Sequence, residues 1–365
     1  MIKSLKNGFP GLLSRAAGGS RCKRQGSLAS GWLPVIAACL LLFTACNNSN
    51  PSSPEDKGPA KILQQPPYAA LTDSIRRFPK DAGLYLRRGD LLSRNNQHEI
   101  AAVDFGSAWA LRPDEETGLR YGSTLSILNR PAEAAKLLRD CIQKFPGDDT
   151  FKKMLGEVYT QSGNIGEALK LYDSMLEADS TDFESWYERG LLLEQGKDTA
   201  GAIASLRKAW SIQPINTYAL ELAHLYAENA NKLSLQLCDE IIRKDSAHEQ
   251  TDPFFIKGIY YSNTRQYNAA IVQFDTCIHR DWKFTDAYIE KGIAVFKQKK
   301  YEDARNVFQM AVTVSNTYPD AYFWIGRCYE AENRKTEAAP FYERAIGLDK
   351  QFTEAREALK RVRGT

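Results

Sequence analysis

The clearest folding signal in this chain of 365 residues is FFIKGIYYSNTRQYNAAIVQFDTCI, the stretch from Phe254 to Ile278. Gly258 lies in its first half, and Ala270 follows twelve residues later in its second half. A residue with little side-chain bulk lets another helix cross close to it, and large residues such as Phe274 then fill the space beside the crossing. The stretch therefore predicts two antiparallel helices that meet at small residues.

The same spacing recurs along most of the chain. Small residues separated by 33 to 35 residues are Gly89, Gly122, Gly156, Gly190, Ala223, Gly258, Gly292 and Gly326. The partners that follow twelve residues later are Ala101, Ala134, Ala168, Ala202, Ala270, Ala304 and Ala338, and Ser234 follows Ala223 by eleven. Pro113, Pro146 and Pro214 stand where second helices end, because proline donates no helical hydrogen bond. The period predicts eight two-helix units.

This pattern resembles the tetratricopeptide repeat, a unit of about 34 residues with two antiparallel helices. The resemblance implies an all-α fold, a right-handed superhelical solenoid over residues 82–350. The predicted units lie near 82–114, 115–148, 149–182, 183–215, 216–250, 251–284, 285–318 and 319–350. Residues 68–81 are interpreted as a partial repeat and N-terminal cap, and residues 351–365 as a C-terminal capping helix. Such caps keep a solenoid soluble.

The first 45 residues read as a targeting segment. They carry six cations and no acid, followed by an apolar run from Gly31 to Ala45. That order is typical of a secretory signal peptide. Fifteen residues at about 1.5 Å each fall short of the roughly 30 Å hydrocarbon core. The segment is therefore predicted to be a cleaved signal and not a membrane span.

The end of this segment, Phe43-Thr44-Ala45-Cys46, resembles the lipobox of bacterial lipoproteins. The resemblance implies cleavage before Cys46 and a diacylglyceryl group on its sulfur. Residues 46–67, rich in Asn, Ser and Pro at their start, are interpreted as a lipidated flexible tether. A signal peptide that contains a cysteine but receives no lipid is the alternative.

Charge argues against a nucleic-acid partner. The chain carries a net charge of +3, and removal of the six cations before Cys46 leaves −3. A weakly acidic chain without a basic stripe has little attraction for a phosphate backbone. No nucleic-acid binding is expected.

Reactive side chains do not occur at the spacings of a catalytic or metal-binding motif, so no enzymatic activity, metal site or cofactor is expected. The histidines, His98, His224, His248 and His279, are scattered over different repeats without metal-ligand spacing. The cysteines of the repeats, Cys141, Cys238, Cys277 and Cys328, occupy predicted core positions, where a free thiol acts as a small hydrophobe. A disulfide between Cys238 and Cys277 is the alternative that an envelope location would permit.

The resemblance places a partner-binding groove on the first helices of the repeats. The groove residues that it implies are Tyr187, Leu191, Leu220, Phe255, Ile259, Ile289, Ile293, Phe296 and Phe323. An apolar stripe of this kind suits an extended or helical peptide. The alternative is that some of these side chains pack against neighbouring helices. The earlier repeats offer more polar groups at the same positions, among them Asp90, Glu116, Lys153 and Glu157.

The sequence as a whole favours a lipid-anchored scaffold that binds other proteins, in envelope assembly or secretion. Its expected location is the bacterial outer membrane, facing the periplasm, because Asn47 is not the aspartate that signals inner-membrane retention in enteric bacteria. A glycan- or nutrient-binding lipoprotein that serves an outer-membrane transporter is the second hypothesis. The nearly constant repeat length leaves no insertion to build such a ligand site.

Overall fold

The computed structural model describes residues 58–247 and 249–364. The predicted signal segment, Cys46 and the first part of the predicted tether lie outside these residues. Nineteen α-helices and no strands occur in the described part of the chain, which confirms the all-α prediction. The contacts divide the described residues into two compact units, one up to Leu128 and the other from Asn129.

Unit 1 contains five helices. They are α1 (Pro59–Leu63), α2 (Ala69–Arg77), α3 (Ala82–Arg94), α4 (His98–Leu111) and α5 (Glu115–Ile127). The first of these lies within the predicted tether, so residues 59–63 are helical and not extended. The reason is local packing, since the side chains of Ile62 and Leu63 contact the core that includes Tyr68 and Phe105.

A buried ion pair joins the first four helices of unit 1. The Arg88 guanidinium on α3 donates two hydrogen bonds of 2.7 Å to the Asp104 carboxylate on α4. It donates a third, of 3.0 Å, to the Thr72 hydroxyl on α2, which in turn donates to the Leu63 carbonyl of α1. Burial of either charge without such partners would strongly destabilise the folded state. The sequence analysis did not identify this network.

Unit 2 contains fourteen helices that alternate as first and second members of hairpins. They are α6 (Pro131–Lys144), α7 (Asp149–Gln161), α8 (Ile165–Ala178), α9 (Phe183–Gln195), α10 (Thr199–Ile212), α11 (Asn216–Glu228), α12 (Leu233–Lys244), α13 (Asp252–Asn263), α14 (Tyr267–Arg280), α15 (Thr285–Lys297), α16 (Tyr301–Val314), α17 (Pro319–Ala331), α18 (Lys335–Leu348) and α19 (Thr353–Arg363). Consecutive helices pack against each other from α6 to α19, which makes unit 2 a stacked α-helical solenoid. Ala355 and Ala358 of α19 are buried.

The hairpins close where the sequence places its recurring glycines. A Cβ atom added to Gly326 on α17 would lie 2.7 Å from the Tyr342 ring on α18. The equivalent atom on Gly190 would lie 2.8 Å from Leu206 Cγ. Since these distances are shorter than any real contact of a methyl group, only glycine fits. Tyr342 and Leu206 are fully buried as a result.

A left-handed residue links the two helices of every repeat. The residues with positive φ are Asn96, Asn129, Gly163, Lys197, Ala230, Arg265, Lys299 and Asn333, each seven positions after the recurring small residue. Gly163 and the three asparagines adopt this conformation readily, whereas it costs the other four residues, Lys197, Ala230, Arg265 and Lys299, about 1–2 kcal/mol each. The turn geometry that packing requires therefore overrides local preference.

The close approach at Gly326 predicts that two glycine substitutions in one hairpin change the free energy of unfolding in opposite directions. Gly326→Ala should lower the free energy of unfolding by about 1–3 kcal/mol, because the methyl group would displace the buried ring of Tyr342. Urea denaturation followed by circular dichroism measures the change.

Gly347→Ala is the matched control, since nothing lies within 4 Å of a Cβ atom at this position on α18. Alanine is the better helix former, so this variant should be neutral or stabilised by up to about 1 kcal/mol. Equal responses at the two sites would contradict the packing role of Gly326.

Candidate partner-binding face

The first helices of the later repeats in unit 2 form a continuous row. α11 contacts α13, α13 contacts α15, and α15 contacts α17. The Tyr187 ring on α9 lies against the Tyr218 ring on α11, with centroids 4.6 Å apart, and extends the row by one helix. This row is where the sequence analysis expects a partner-binding groove.

Most of the expected groove residues are covered by neighbouring helices. The buried ones are Tyr187, Leu220, Phe255, Ile259, Ile289, Ile293 and Phe323. Only Leu191 and Phe296 keep intermediate exposure. The Phe255 centroid lies 5.7 Å from Phe274 and 5.0 Å from Phe284. The structure thus favours the packing interpretation for these seven residues, because their apolar surface is already buried inside unit 2.

Asp90, Glu116 and Lys153 of the earlier repeats are paired within their own units, whereas burial raises the pKa of Glu157, which forms no ion pair among the described residues. In unit 1, Arg120 donates hydrogen bonds of 2.7 Å to both Asp90 and Glu116. In unit 2, Lys153 Nζ lies 2.5 Å from Glu184 Oε2. These charges are neutralised by partners in the same unit.

Carboxylates recur along the row of first helices, and most of them keep solvent access, whereas Glu221 is buried. We define the acidic face as Glu188 and Glu194 on α9, Glu221 and Glu228 on α11, Asp286 and Glu290 on α15, and Asp320 on α17. Within the described residues, no Lys or Arg forms an ion pair with Glu188, Glu194, Glu221 or Glu290. The face therefore carries uncompensated acidic groups.

Burial and mutual repulsion raise the pKa values of this set. Burial, followed by the nearby Glu194 and Asp252 carboxylates, raises the pKa of Glu221 to about 7. Burial, followed by Glu228, Asp286 and Asp320, raises the pKa of Glu290 to about 8. Glu290 still keeps partial solvent access, so its desolvation comes from protein around the side chain and not from complete enclosure.

Electrostatic coupling links the carboxylates from one end of the face to the other. Glu194 raises the pKa of both Glu221 and Glu228, which joins α9 to α11. Glu228 raises that of Glu290, which joins α11 to α15. Burial, and then Asp286, raise the pKa of Asp320 to about 6, which joins α15 to α17. These couplings connect six of the seven carboxyls of the acidic face, whereas the pKa of Glu188 is raised by burial and then by Glu157 and Glu184.

A hydroxyl without a partner lies inside this field. Tyr187 is only 6% exposed, and its Oη has no hydrogen-bond partner. Burial raises the pKa of its phenol, and the charges of Glu221, Glu188 and Glu194 add to the effect. The hydroxyl thus feels the charge of three carboxylates and forms a hydrogen bond with none of them. A buried hydroxyl with no partner costs about 1–3 kcal/mol.

The side chains considered for catalysis or metal binding are separated or buried. His98 lies in unit 1, while His224 and His279 lie on α11 and α14, and His248 is outside the described residues. Burial lowers the pKa of His224 to about 4. In the described stretches, no three His, Cys, Asp or Glu side chains are placed to hold a metal ion.

The repeat cysteines are buried thiols. Cys141, Cys238, Cys277 and Cys328 are all free, so the alternative of a Cys238–Cys277 disulfide is not realised in the structure. Burial raises the pKa of Cys238 and Cys328 to about 12. They act as small core residues.

As for membrane spans, no helix among the described residues has the required combination of length and hydrophobicity.

The acidic face was missed by sequence reasoning although a signal for it exists. Glu188, Glu221 and Glu290 each stand two residues before the small residue of their repeat, and Asp286 and Asp320 stand six before theirs. Positions four apart share one side of a helix. A search for recurring charge, in addition to recurring small residues, would have found the pattern.

The raised pKa values predict that the acidic face destabilises the fold as the pH rises. In the unfolded chain these carboxyls titrate near 4.3, so between about pH 4 and pH 8 the folded state binds more protons. Below about pH 4 these carboxyls contribute their full stabilisation to the fold. This contribution is lost as the pH rises through their folded-state pKa values. Relative to wild type, Glu221→Gln/Glu290→Gln should gain on the order of 5 kcal/mol in unfolding free energy between pH 5 and pH 8.5.

The exposed pair Glu177→Gln/Glu302→Gln removes the same charge from second helices and serves as the control. The difference between its unfolding free energy and that of wild type should stay constant between pH 5 and pH 8.5. If urea titrations show the same constant difference for Glu221→Gln/Glu290→Gln, the pKa values of these two carboxyls are not raised and the prediction is wrong.

Comparison with known proteins identifies the repeats. Family models described as tetratricopeptide repeat match residues 127–188, 183–216 and 289–351. A crystal structure of a tetratricopeptide repeat protein from Parabacteroides merdae superposes with a TM-score of 0.60 at 18% identity, covering 68% of this chain and 98% of that one. At this identity, the likeness concerns the fold.

Two human proteins are similar in sequence over part of their length. DnaJ homolog subfamily C member 7 is 25% identical over 56% of this chain and 38% of its own length. Mitochondrial import receptor subunit TOM70 is 26% identical over 45% of this chain and 29% of its own length. This chain therefore spans well under half the length of either relative. It is an all-helical protein that contains tetratricopeptide repeats.

Proposed function

We propose that this chain is a non-enzymatic scaffold that binds partner proteins along the first helices of unit 2. Proteins built from tetratricopeptide repeats generally serve as protein-interaction scaffolds. The observation that carries the proposal is the acidic face, a connected row of carboxylates without counterions inside the described residues. Such a row is costly for a free protein, and a partner of complementary charge would relieve it.

The proposal includes a membrane anchor. A lipid on Cys46 would hold the repeats at the bacterial outer membrane, facing the periplasm, where partners in envelope assembly or secretion are found. Its support is the sequence of residues 1–46, with cations, an apolar run and the Phe43-Thr44-Ala45-Cys46 segment in that order. Two or three acyl chains anchor a protein stably, whereas one chain does so only marginally.

Site-specific photo-crosslinking in the producing cells tests the binding surface. A photoreactive benzoylphenylalanine at Leu191 or Phe296, the two expected groove residues that keep solvent access, should give adducts with the same partner protein. Both positions lie on first helices next to the acidic face.

Val272 and Met310 are matched outer positions, since they are exposed apolar residues on the second helices α14 and α16. They should give no adduct with that partner. The proposed function fails if the inner positions give no protein adduct, or if inner and outer positions give the same set.

A single substitution tests the anchor. Cys46→Ser should abolish incorporation of labelled palmitate and release the protein from sedimented membranes, because the sulfur is the proposed acyl acceptor. Cys39→Ser, within the predicted signal, should leave both properties unchanged. Palmitate labelling that persists in Cys46→Ser would rule out this anchor.

A further inference from the structure

We propose that the acidic face binds an extended, lysine- or arginine-rich segment of a partner protein. The inference rests on the proposed scaffold function and deepens it by naming the chemistry of the partner. It follows from three features of unit 2: the spacing of its carboxylates, their lack of counterions, and the orphaned hydroxyl of Tyr187.

The spacing of the first helices suits an extended ligand. Packed helices lie about 8–10 Å apart, and an extended peptide advances about 3.3 Å per residue. A segment that crosses the row therefore passes one first helix about every three residues. Positive side chains at every third position would meet Glu188 on α9 and Glu221 on α11, pass α13, which carries no member of the acidic face, and then meet Glu290 on α15.

The charge distribution argues for several separate cations and not for one. The carboxylates are spread over α9, α11, α15 and α17. At one end of the row, Lys153 is held by Glu184. At the other end, the Arg327 guanidinium lies 5.7 Å from the Trp324 ring centroid and close to Glu330. Between these two ends, no lysine or arginine of the described residues forms an ion pair with the acidic face.

Tyr187 supplies an observation that is independent of the carboxylates. Its hydroxyl is buried and has no hydrogen-bond partner among the described residues, on the same helix as Glu188 and Glu194 and against Tyr218 of the helix that carries Glu221. An ammonium or guanidinium group that entered this cluster would donate hydrogen bonds to the carboxylates and to the hydroxyl oxygen. Arginine is especially suitable, because its planar fork carries five N–H donors.

The apolar residues beneath the face fix its shape. The Tyr187 and Tyr218 rings pack at a tilt with centroids 4.6 Å apart, and Tyr318 donates a hydrogen bond to Asp286. The backbone of each first helix is also held at its recurring small residue by the second helix. The carboxylates are therefore presented on a preformed surface, which limits the ordering cost of binding.

Fluorescence anisotropy with the full chain in detergent tests the inference. The probe is a labelled peptide of about fifteen residues with lysine at every third position, which matches the helix spacing. At pH 8.5, above the raised pKa values of Glu221 and Glu290, Glu188→Gln/Glu221→Gln/Glu290→Gln should bind it about tenfold or more weakly than wild type, because three charge contacts are lost. The substitutions relieve repulsion, so the variant is expected to fold, and circular dichroism checks this.

The control variant, Glu177→Gln/Glu302→Gln/Glu357→Gln, removes the same charge from exposed positions outside the acidic face. It should bind like wild type. Equal loss in both variants, or no measurable affinity of the wild type, overturns the inference. So does equal affinity for a peptide with glutamate in place of lysine.

The two proposals fail separately. If Leu191 and Phe296 crosslink to a partner but the lysine peptide does not bind, the scaffold function stands and the inference is wrong. If these positions give no protein adduct, the scaffold function is wrong whatever the peptide does.

Discussion

The contact between a glycine on one helix and a ring or branched side chain on the next is the constraint on which unit 2 depends. At Gly190 and Gly326 the backbone is so close to Leu206 and Tyr342 that a methyl group has no space. This contact brings the helices of a hairpin together and buries the large side chain completely. Its recurrence makes each hairpin nearly the same, and identical hairpins stack because each covers the apolar side of its neighbour.

Stacking has an electrostatic consequence. Equivalent positions of the first helices are brought into one row, so acidic residues that recur in several repeats, as Glu188, Glu221 and Glu290 do, place like charges along that row. Glu221 and Glu290 show the effect, since their carboxyls are desolvated by the same packing that orders the helices. The free protein bears this cost without an internal cation. A partner that brings positive charge would then gain from a surface that is already formed.

The repeat could be predicted because its determinants are local and periodic, whereas the candidate face could not. Resemblance assigned Phe255 and Ile289 to a groove because of their position in the repeat, but a period says nothing about how closely adjacent first helices approach. In the structure they approach closely enough to bury both side chains. Likewise, the left-handed turns at Lys197 and Arg265 carry no residue that favours this conformation.

Recurring small residues, helix-ending prolines and apolar periodicity are properties of short segments, so the amino-acid order alone specified two-helix units and an all-α architecture. Long-range geometry specified the rest. The Arg88–Asp104 ion pair joins residues on two helices, and the acidic face joins residues more than thirty positions apart, from Glu188 to Glu221 and on to Glu290. Electrostatic energy and desolvation depend on distance in space, and only packing sets that distance.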